Sequence, residues 1–441
     1  MDLTGLPVWT NALIVFGLVF ILLGLGVWIG FALAAVGLFV LAFMAGGMEQ
    51  VVYRILFTSL NEFVLAAIPL FIFMGEVILK SGLSDRLYRG VSKLTRVLPG
   101  GLVHSNIMAC SLFAAVTGSS LATVATVGTV AMGEQEARGY DRKLVTGSLA
   151  AGGTLGILIP PSVIMILYGA FVGVSVARLF IAGVIPGLIL AGMFMTYILV
   201  VGLIRPDWTP ERQRFTWGYF SDVVSSFKDL WPILVLMLII MGGIYGGIMT
   251  PTEAAAIASF AAIVIAALLG KFSLQLLKES SIAALRITAM CFLILVGARI
   301  AGTSMSMIKL PAELSNFVLS FEANRYLIWA GMIVLHLVLG CFLEGISLIL
   351  LTLPVTFPIL VGTLGFDPIW FGVVLTILVE CALITPPVGI NFYVIHGITG
   401  EKYLRDILIG IVPFFTIMVV AIVLFTVFPW LVTWLPGTMF N

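Results

Sequence analysis

The chain alternates long apolar runs with short polar connections, and several of these runs are uninterrupted. A membrane-spanning helix needs about 20 predominantly apolar residues. The runs that approach or exceed this length lie at residues 11–28, 30–46, 62–79, 182–204, 231–248, 252–270, 284–306 and 406–428. They predict eight ordinary membrane-spanning helices.

Four further apolar stretches are interrupted by Gly, Pro, Ser and Thr, at residues 101–133, 143–168, 326–362 and 368–395. The first and third have a polar break in the middle and are too short for two full crossings with a loop. They predict re-entrant helical hairpins with tips at membrane depth. The second and fourth are broken at GILIPPS and LITPPVG, where proline removes a backbone donor and frees carbonyl groups. They predict discontinuous helices.

These four stretches form two matched pairs. A shift of 226 residues places Pro160 and Pro161 on Pro386 and Pro387, and Gly139-Tyr140-Asp141 on Gly365-Phe366-Asp367, without a gap. A fixed offset of this kind is typical of an internal duplication.

Positive charge predicts the orientation of the chain. The connections richest in Lys and Arg hold 17 of the 22 basic residues, and they are residues 80–100, 134–143, 205–229, 271–286 and 401–405. An excess of basic residues marks cytoplasmic loops, so these connections are predicted to be cytoplasmic. With both hairpins re-entrant, the chain crosses the membrane ten times, and both termini are predicted to be periplasmic. Connection 134–143 then lies inside and its mate 363–367 outside, so the repeat is inverted. Inverted repeats with broken helices are typical of secondary transporters.

The predicted fold is therefore that of an all-α polytopic membrane protein with an inverted repeat, two re-entrant hairpins and two broken helices. The predicted segments are N-terminal scaffold helices at 1–61, repeat 1 at 62–204, a cytoplasmic loop with connecting scaffold helices at 205–283, repeat 2 at 284–428 and a tail at 429–441.

Composition narrows the class of function. The chain is 61% hydrophobic and 10% charged, and its net charge is +1. These values place it in a lipid bilayer and exclude a basic nucleic-acid surface. The four cysteines have no CxxC spacing, and no hydrolase, zinc or P-loop signature occurs. The chain is predicted not to be an enzyme, and any pumping is predicted to use an ion gradient or another chain.

The hairpin tips and helix breaks offer hydroxyl groups and unwound backbone carbonyls, mostly neutral oxygen ligands that suit a monovalent cation. We predict two symmetry-related Na⁺ sites there. Their candidate ligands are Gly118, Ser119, Ser120, Thr123, Gly156, Pro160 and Pro161 in repeat 1, and Gly345, Ser347, Thr385, Pro386, Pro387 and Gly389 in repeat 2. Taken singly, each Gly or Ser is better explained by close helix packing; the repetition of the break at the 226-residue offset is what favours an ion site.

Half-helix N-termini beside the breaks suit a substrate carboxylate. The candidate substrate residues are Ser162, Arg299, Glu344, Glu380 and Asn391, with Asn391 expected opposite the second tip. Isolated charges inside a membrane are functional hypotheses by default. For Arg299 the alternatives are snorkelling to the interface, contact with substrate, or pairing with a carboxylate such as Glu380. Glu253 is equally explained as a helix cap.

Four segments carry a family resemblance: TGSSLATVATVGTVAMGEQEARGYDRKLVTGSLAAGGTLGILIPPSVIMILYG (117–169), GGIYGGIMTPTEAAAIA (242–258), FLEGISLILLTLPVTFPIL (342–360) and TPPVGINFYVIHGI (385–398). The chain resembles the large membrane subunit of tripartite ATP-independent periplasmic (TRAP) transporters over nearly its whole length. The family's hairpin tips correspond to 118–123 and 344–347, and its sodium loops to 156–162 and 385–391.

The resemblance implies a sodium-coupled, elevator-type importer of small organic acids, such as dicarboxylates or sialic acids, in the bacterial inner membrane. It also implies a separate small four-helix membrane subunit and a periplasmic substrate-binding protein. The alternatives are a stand-alone ion-coupled carboxylate transporter without a binding protein and a scaffold or channel subunit.

Overall fold

The computed structural model describes residues 7–210, 218–387, 389–400 and 404–439, and every regular element in these ranges is helical. In chain order the α-helices are α1 (Val8–Gly24), α2 (Ile29–Phe39), α3 (Val51–Leu60), α4 (Ala67–Lys80), α5 (Leu83–Thr95), α6 (Leu102–Thr117), α7 (Ser120–Ala137), α8 (Arg142–Leu158), α9 (Val163–Val172), α10 (Val176–Ile204), α11 (Gly218–Met237), α12 (Gly243–Tyr245), α13 (Pro251–Leu268), α14 (Leu274–Met307), α15 (Leu310–Ser320), α16 (Arg325–Gly340), α17 (Gly345–Phe357), α18 (Pro368–Ile384), α19 (Ile390–Thr399), α20 (Leu404–Val427) and α21 (Trp430–Met439). The shorter segments are 3₁₀ turns at Phe63–Ala66 and Pro206–Trp208, and π-helical turns at Val40–Met44, Leu238–Gly242 and Pro358–Thr363.

Within the described ranges, eight helical segments are long and apolar enough to cross a membrane, so the chain is a multi-pass membrane protein. They are Phe63–Lys80, Arg142–Val172, Val176–Ile204, Tyr219–Tyr245, Pro251–Leu268, Leu274–Met307, Gly345–Thr363 and Leu404–Val427. Six of the eight predicted spans lie on these segments. The first two, 11–28 and 30–46, form the shorter apolar helices Trp9–Gly24 and Ile29–Met44.

Two predicted loops are partly helical. α11 begins at Gly218 and includes the end of the predicted cytoplasmic loop 205–229, whose residues 211–217 lie outside the described ranges. α14 begins at Leu274, where the Ser273 hydroxyl accepts a hydrogen bond from the Leu276 amide. Both helices begin with segments that include polar residues. The predicted spans, which were chosen by apolar length alone, therefore begin later than the helices do.

The predicted hairpins and broken helices are present. α6 and α7 turn back on each other at Gly118, which has a left-handed φ of 61° that glycine adopts without steric cost. α16 and α17 form the second hairpin, around residues 341–344. α8 breaks from α9 at residues 159–162, and α18 ends at Ile384 before α19 begins at Ile390.

The 226-residue duplication extends through most of the fold. Applied to α8, the shift gives residues 368–384, which are the bounds of α18; applied to α9, it gives 389–398, one residue from α19. α5 falls on α15 and α6 on α16 with small differences. The preceding scaffold follows the same rule, because α2 with its π-helical turn falls on residues 255–270 and overlaps α13.

The two repeats interlock. α7 of the first hairpin packs on α19, and α17 of the second hairpin packs on α9, while α8 and α18 pack on each other. Each hairpin therefore rests on the half-helix of the other repeat. We call α6–α9 with α16–α19 the central body, and α4 with α14, which pack together along its side, the flanking pair.

Candidate ion and substrate site

The first hairpin tip is closed by its own side chains. The Ser119 hydroxyl accepts the Ala122 amide at 3.3 Å and caps α7. The Thr123 hydroxyl donates to the Ser119 carbonyl at 2.8 Å and lies 3.3 Å from the Thr117 hydroxyl. The tip thus presents a compact set of oxygen atoms at the point where α6 ends and α7 begins.

The first helix break lies against this tip, as predicted. A Cβ atom added to Gly118 would lie 3.3 Å from the backbone oxygen of Pro161. Pro160 and Pro161 are joined by a cis peptide bond, and the Ser162 hydroxyl then caps α9 by accepting the Met165 amide at 3.3 Å. Gly156, on the last turns of α8, faces Ala114 of α6 at a distance that leaves no room for a side chain.

Glu344 is the cap of the second hairpin arm. One of its carboxylate oxygens accepts the Ser347 amide at 3.1 Å and the Ser347 hydroxyl at 3.3 Å. A carboxylate at a helix N-terminus is favoured by the partial positive charge there. Gly345, the next residue, packs against Val379 of α18.

The second helix break repeats the first in its backbone. Pro386 and Pro387 are also joined by a cis peptide bond. The Thr385 hydroxyl donates to the Cys381 carbonyl at 2.5 Å, and the Tyr393 hydroxyl donates to the Pro387 carbonyl at 2.8 Å. Gly389 lies directly over Thr385, where a side chain would collide with the backbone.

Asn391 joins the two repeats. Its side-chain amide lies within hydrogen-bonding distance of the Ser120 hydroxyl, at 2.7 Å from the nitrogen and 3.0 Å from the oxygen, and its nitrogen also donates to the Ala150 carbonyl at 3.3 Å. The prediction placed Asn391 opposite the second tip. The structure places it on the first tip, because α19 packs on α7.

Both tips open into one cavity of about 200 Å³ between the central body and the flanking pair. Of the predicted residues, Gly118, Ser119, Ser120, Glu344 and Gly345 line it. The remaining wall comes from Ile72, Gly75, Glu76 and Leu79 of α4, Ile287 and Met290 of α14, Thr117, Leu121, Ala122, Ile157, Val163, Ile164, Ile346, Leu383 and Ile390.

The other predicted residues of the hairpins and helix breaks do not line this cavity. They are Thr123, Gly156, Pro160, Pro161, Ser162, Ser347, Thr385, Pro386, Pro387, Gly389 and Asn391. Pro386 and Pro387 in the second break are exposed, whereas Pro160, Pro161 and Ser162 in the first are buried. Arg299 of α14 is a predicted substrate residue, but none of the α4 and α14 side chains that line this cavity was predicted from the sequence. The available signal was Glu76, a lone acidic residue in an apolar run; its carboxylate lies 3.8 Å from the Lys80 amine.

Arg299 and Glu380 do not meet. Arg299 lies 3.2 Å from the carboxylate of Glu62 and also donates to the backbone oxygen of Ala170. Glu380 is fully buried in α18, one turn before the break, and its two carboxylate oxygens have no hydrogen-bond partner among the described residues. Of the alternatives given for Arg299, the structure shows pairing with a carboxylate, and that carboxylate is Glu62 and not Glu380.

Glu253 is a helix cap. Its carboxylate accepts the Thr250 amide and hydroxyl, both at 2.8 Å, while the Thr250 hydroxyl accepts the Glu253 amide. This reciprocal arrangement is a capping box.

Inverted repeats, two hairpins and two broken helices that meet at one cavity define a secondary-transporter fold. The family model described as "Tripartite ATP-independent periplasmic transporter, DctM component" matches residues 16–431. The chain belongs to this family of transporter components, so no enzyme family is indicated.

Two relatives illustrate the family. The C4-dicarboxylate TRAP transporter large permease protein DctM of Pseudomonas aeruginosa is 34% identical over 375 residues, which cover 85% of this chain and 86% of the relative. The sialic acid TRAP transporter large permease protein SiaM of Vibrio cholerae is 30% identical over 425 residues, covering 94% and 96%. The crystal structure of the Alcanivorax borkumensis YdaH transporter matches with a TM-score of 0.63 at 12% identity, over 87% of this chain and 89% of that one, and therefore shares the fold.

Proposed function

We propose that the chain is the large membrane subunit of a sodium-coupled importer of small organic acids. The observation that carries this proposal is the cavity at which the tips of two inverted hairpins meet. A binding site at the interface of inverted repeats is where secondary transporters hold substrate and coupling ion.

The charge of the cavity supports cation coupling. Among its lining residues the charged side chains are Glu76 and Glu344, and none is Lys, Arg or His. An organic anion placed there needs positive charge from the N-termini of α7 and α17 and from bound cations. Neutral oxygen donors at both tips and both breaks suit Na⁺ better than a divalent ion. We place two symmetry-related Na⁺ sites at these positions.

An elevator movement fits the packing. The central body is held together by contacts between the repeats, including α7 with α19 and α17 with α9. The cavity lies on its boundary with the flanking pair, so sliding the body along α4 and α14 would carry the cavity across the membrane.

The substrate is inferred from the relatives. The two named above carry C4-dicarboxylate and sialic acid in their names. A cavity of about 200 Å³ compares with the roughly 150 Å³ that holds a benzene molecule in an engineered protein core. In the conformation described, the volume suits a dicarboxylate better than a sialic acid.

The partners follow from the same family. We propose a small four-helix membrane subunit and a periplasmic binding protein that delivers the acid, in a bacterial inner membrane with both termini periplasmic. This chain then carries the acid across the membrane and couples its movement to sodium, and the binding protein captures the acid in the periplasm.

Uptake into proteoliposomes tests this proposal. Vesicles that hold this chain and its small subunit should accumulate radiolabelled succinate or sialic acid only with an inward sodium gradient and with the cognate binding protein outside. Vesicles that hold the chain alone should not. Robust uptake by the chain alone would instead establish the stand-alone carboxylate transporter, and ion flux without saturation by either acid would establish a channel.

A further inference from the structure

Arg299 joins the flanking pair to the far end of α9. Its guanidinium lies 3.2 Å from the Glu62 carboxylate, donates to the Ala170 carbonyl, and lies 4.9 Å from the centroid of the Phe171 ring. α9 ends at Val172, so the positive charge lies in the last turn of that helix. Helix C-terminal carbonyls carry partial negative charge and attract a cation there. Three contacts thus converge on one side chain between two parts of the fold.

Among the described residues, the other repeat has no such contact. The 226-residue shift places Arg299 on Phe73, Ala170 on His396 and Glu62 on Thr288. These residue types cannot form a carboxylate–guanidinium pair. The Thr288 hydroxyl and the His396 Nδ1 atom are buried without a hydrogen-bond partner among the described residues.

Packing shows the same asymmetry. α9 packs against both α4 and α14, whereas its mate α19 packs on α7, α8, α18 and α20. The cavity lies at the beginnings of both half-helices, since Val163 and Ile164 of α9 and Ile390 of α19 line it together with residues of α4 and α14. The central body is therefore closed on the flanking pair at the end of α9 and open beside α19.

We propose that Arg299 is a positioning residue that latches α9 to the flanking pair and holds the central body with its cavity open toward the cytoplasm. The inference rests on the proposed elevator function and on the orientation predicted from loop charge, which places the end of α9 on the periplasmic side. In the opposite conformation, the end of α9 leaves Arg299. By the symmetry of the repeats, the end of α19 then approaches Phe73 and Thr288.

Crosslinking of the mirror-image pair tests the latch. Phe73→Cys and His396→Cys are introduced together in a background in which the four native cysteines are replaced, and a short bismaleimide is added to membranes in sodium buffer. The Arg299→Gln variant should crosslink roughly tenfold faster than the parent, because it loses the positive charge that binds the Ala170 carbonyl and the Phe171 ring at the end of α9. Arg299→Lys keeps the charge but not the planar fork, so an intermediate rate is expected. Arg54→Gln, which removes an exposed charge on α3, should leave the rate unchanged.

Two sets of results would contradict the proposal, and they separate the latch from the elevator movement. Equal rates in Arg299→Gln and the parent, or an equal rise in Arg54→Gln, would overturn the latch. A second pair, Ser120→Cys with Asn391→Cys, reports a contact that already exists in this conformation. If that pair crosslinks and the mirror-image pair fails in every variant, the central body does not move and the elevator proposal falls with the latch. As a control for folding, Arg299→Gln and Arg299→Lys are also purified, and their crosslinking rates are compared only if each variant elutes as a monodisperse protein on size-exclusion chromatography.

Discussion

The contact between α8 and α20 gives a sharp prediction about packing. A Cβ atom added to Gly147 would lie 2.1 Å from the backbone oxygen of Gly410, and one added to Gly410 would lie 2.1 Å from the backbone oxygen of Lys143. Ordinary contact begins at 3.4 Å, so either alanine forces the helices apart by the difference, about 1.3 Å. Backbone cannot rotate away as a side chain can. Overpacking of this kind costs about 1–3 kcal/mol.

Thermal unfolding of the purified protein in one detergent is the assay. Gly147→Ala and Gly410→Ala should each lower the midpoint, and the double variant should cost less than the sum of the two, because one separation relieves both collisions. The control is Gly133→Ala on α7, where nothing lies within 4 Å of the added atom and alanine gains about 1 kcal/mol of helix propensity. A midpoint for Gly147→Ala as high as that of Gly133→Ala would refute the close approach of α8 and α20.

Three further predictions concern orientation and coupling. Cysteines at the exposed positions Ala137 and Gly362 should react with an impermeant thiol reagent from opposite faces of the membrane, and reaction from the same face would contradict the inverted repeat. Asn391→Ala leaves Ser120 without its cross-repeat partner, so the sodium concentration for half-maximal uptake should rise roughly tenfold at a net loss of about 1.4 kcal/mol, without loss of binding-protein docking in a pull-down. Glu344→Gln keeps an oxygen to cap α17, so uptake should remain sodium-dependent; uptake driven by a pH gradient without sodium, and abolished by this substitution, would show that the coupling ion is a proton.

The broken elements could be predicted from the sequence because their signals are local. Gly118 and the two Pro-Pro pairs interrupt apolar runs at the positions where the helices end. The fixed offset of 226 residues between the two Pro-Pro pairs identifies the broken helices as copies of one structural element. The oxygen-bearing tip residues followed from the same interruptions. Their places at the tips required no knowledge of tertiary packing.

The walls of the cavity could not be predicted in this way. Ile72 and Met290 lie in ordinary apolar helices whose pattern does not say which face meets the central body. Glu62 and Arg299 are 237 residues apart, so their pairing depends on how α4 and α14 pack. α5 and α15 were missed because helices of 13 and 11 residues are too short to register as spans.

The interlocked repeats also constrain biosynthesis. Of the apolar stretch in the first broken helix, 83% is buried inside the protein. Much of this burial comes from contacts with α18 and α20. The ribosome makes those helices more than 200 residues after α8. During synthesis, the Gly- and Pro-rich surfaces of the first repeat must therefore contact lipid or the insertion machinery until the second repeat has been made. A chain that stops before α18 lacks the part of the α8 cover that α18 and α20 supply, and it lacks the partner of Ser120, so the site is completed only when the second repeat is made.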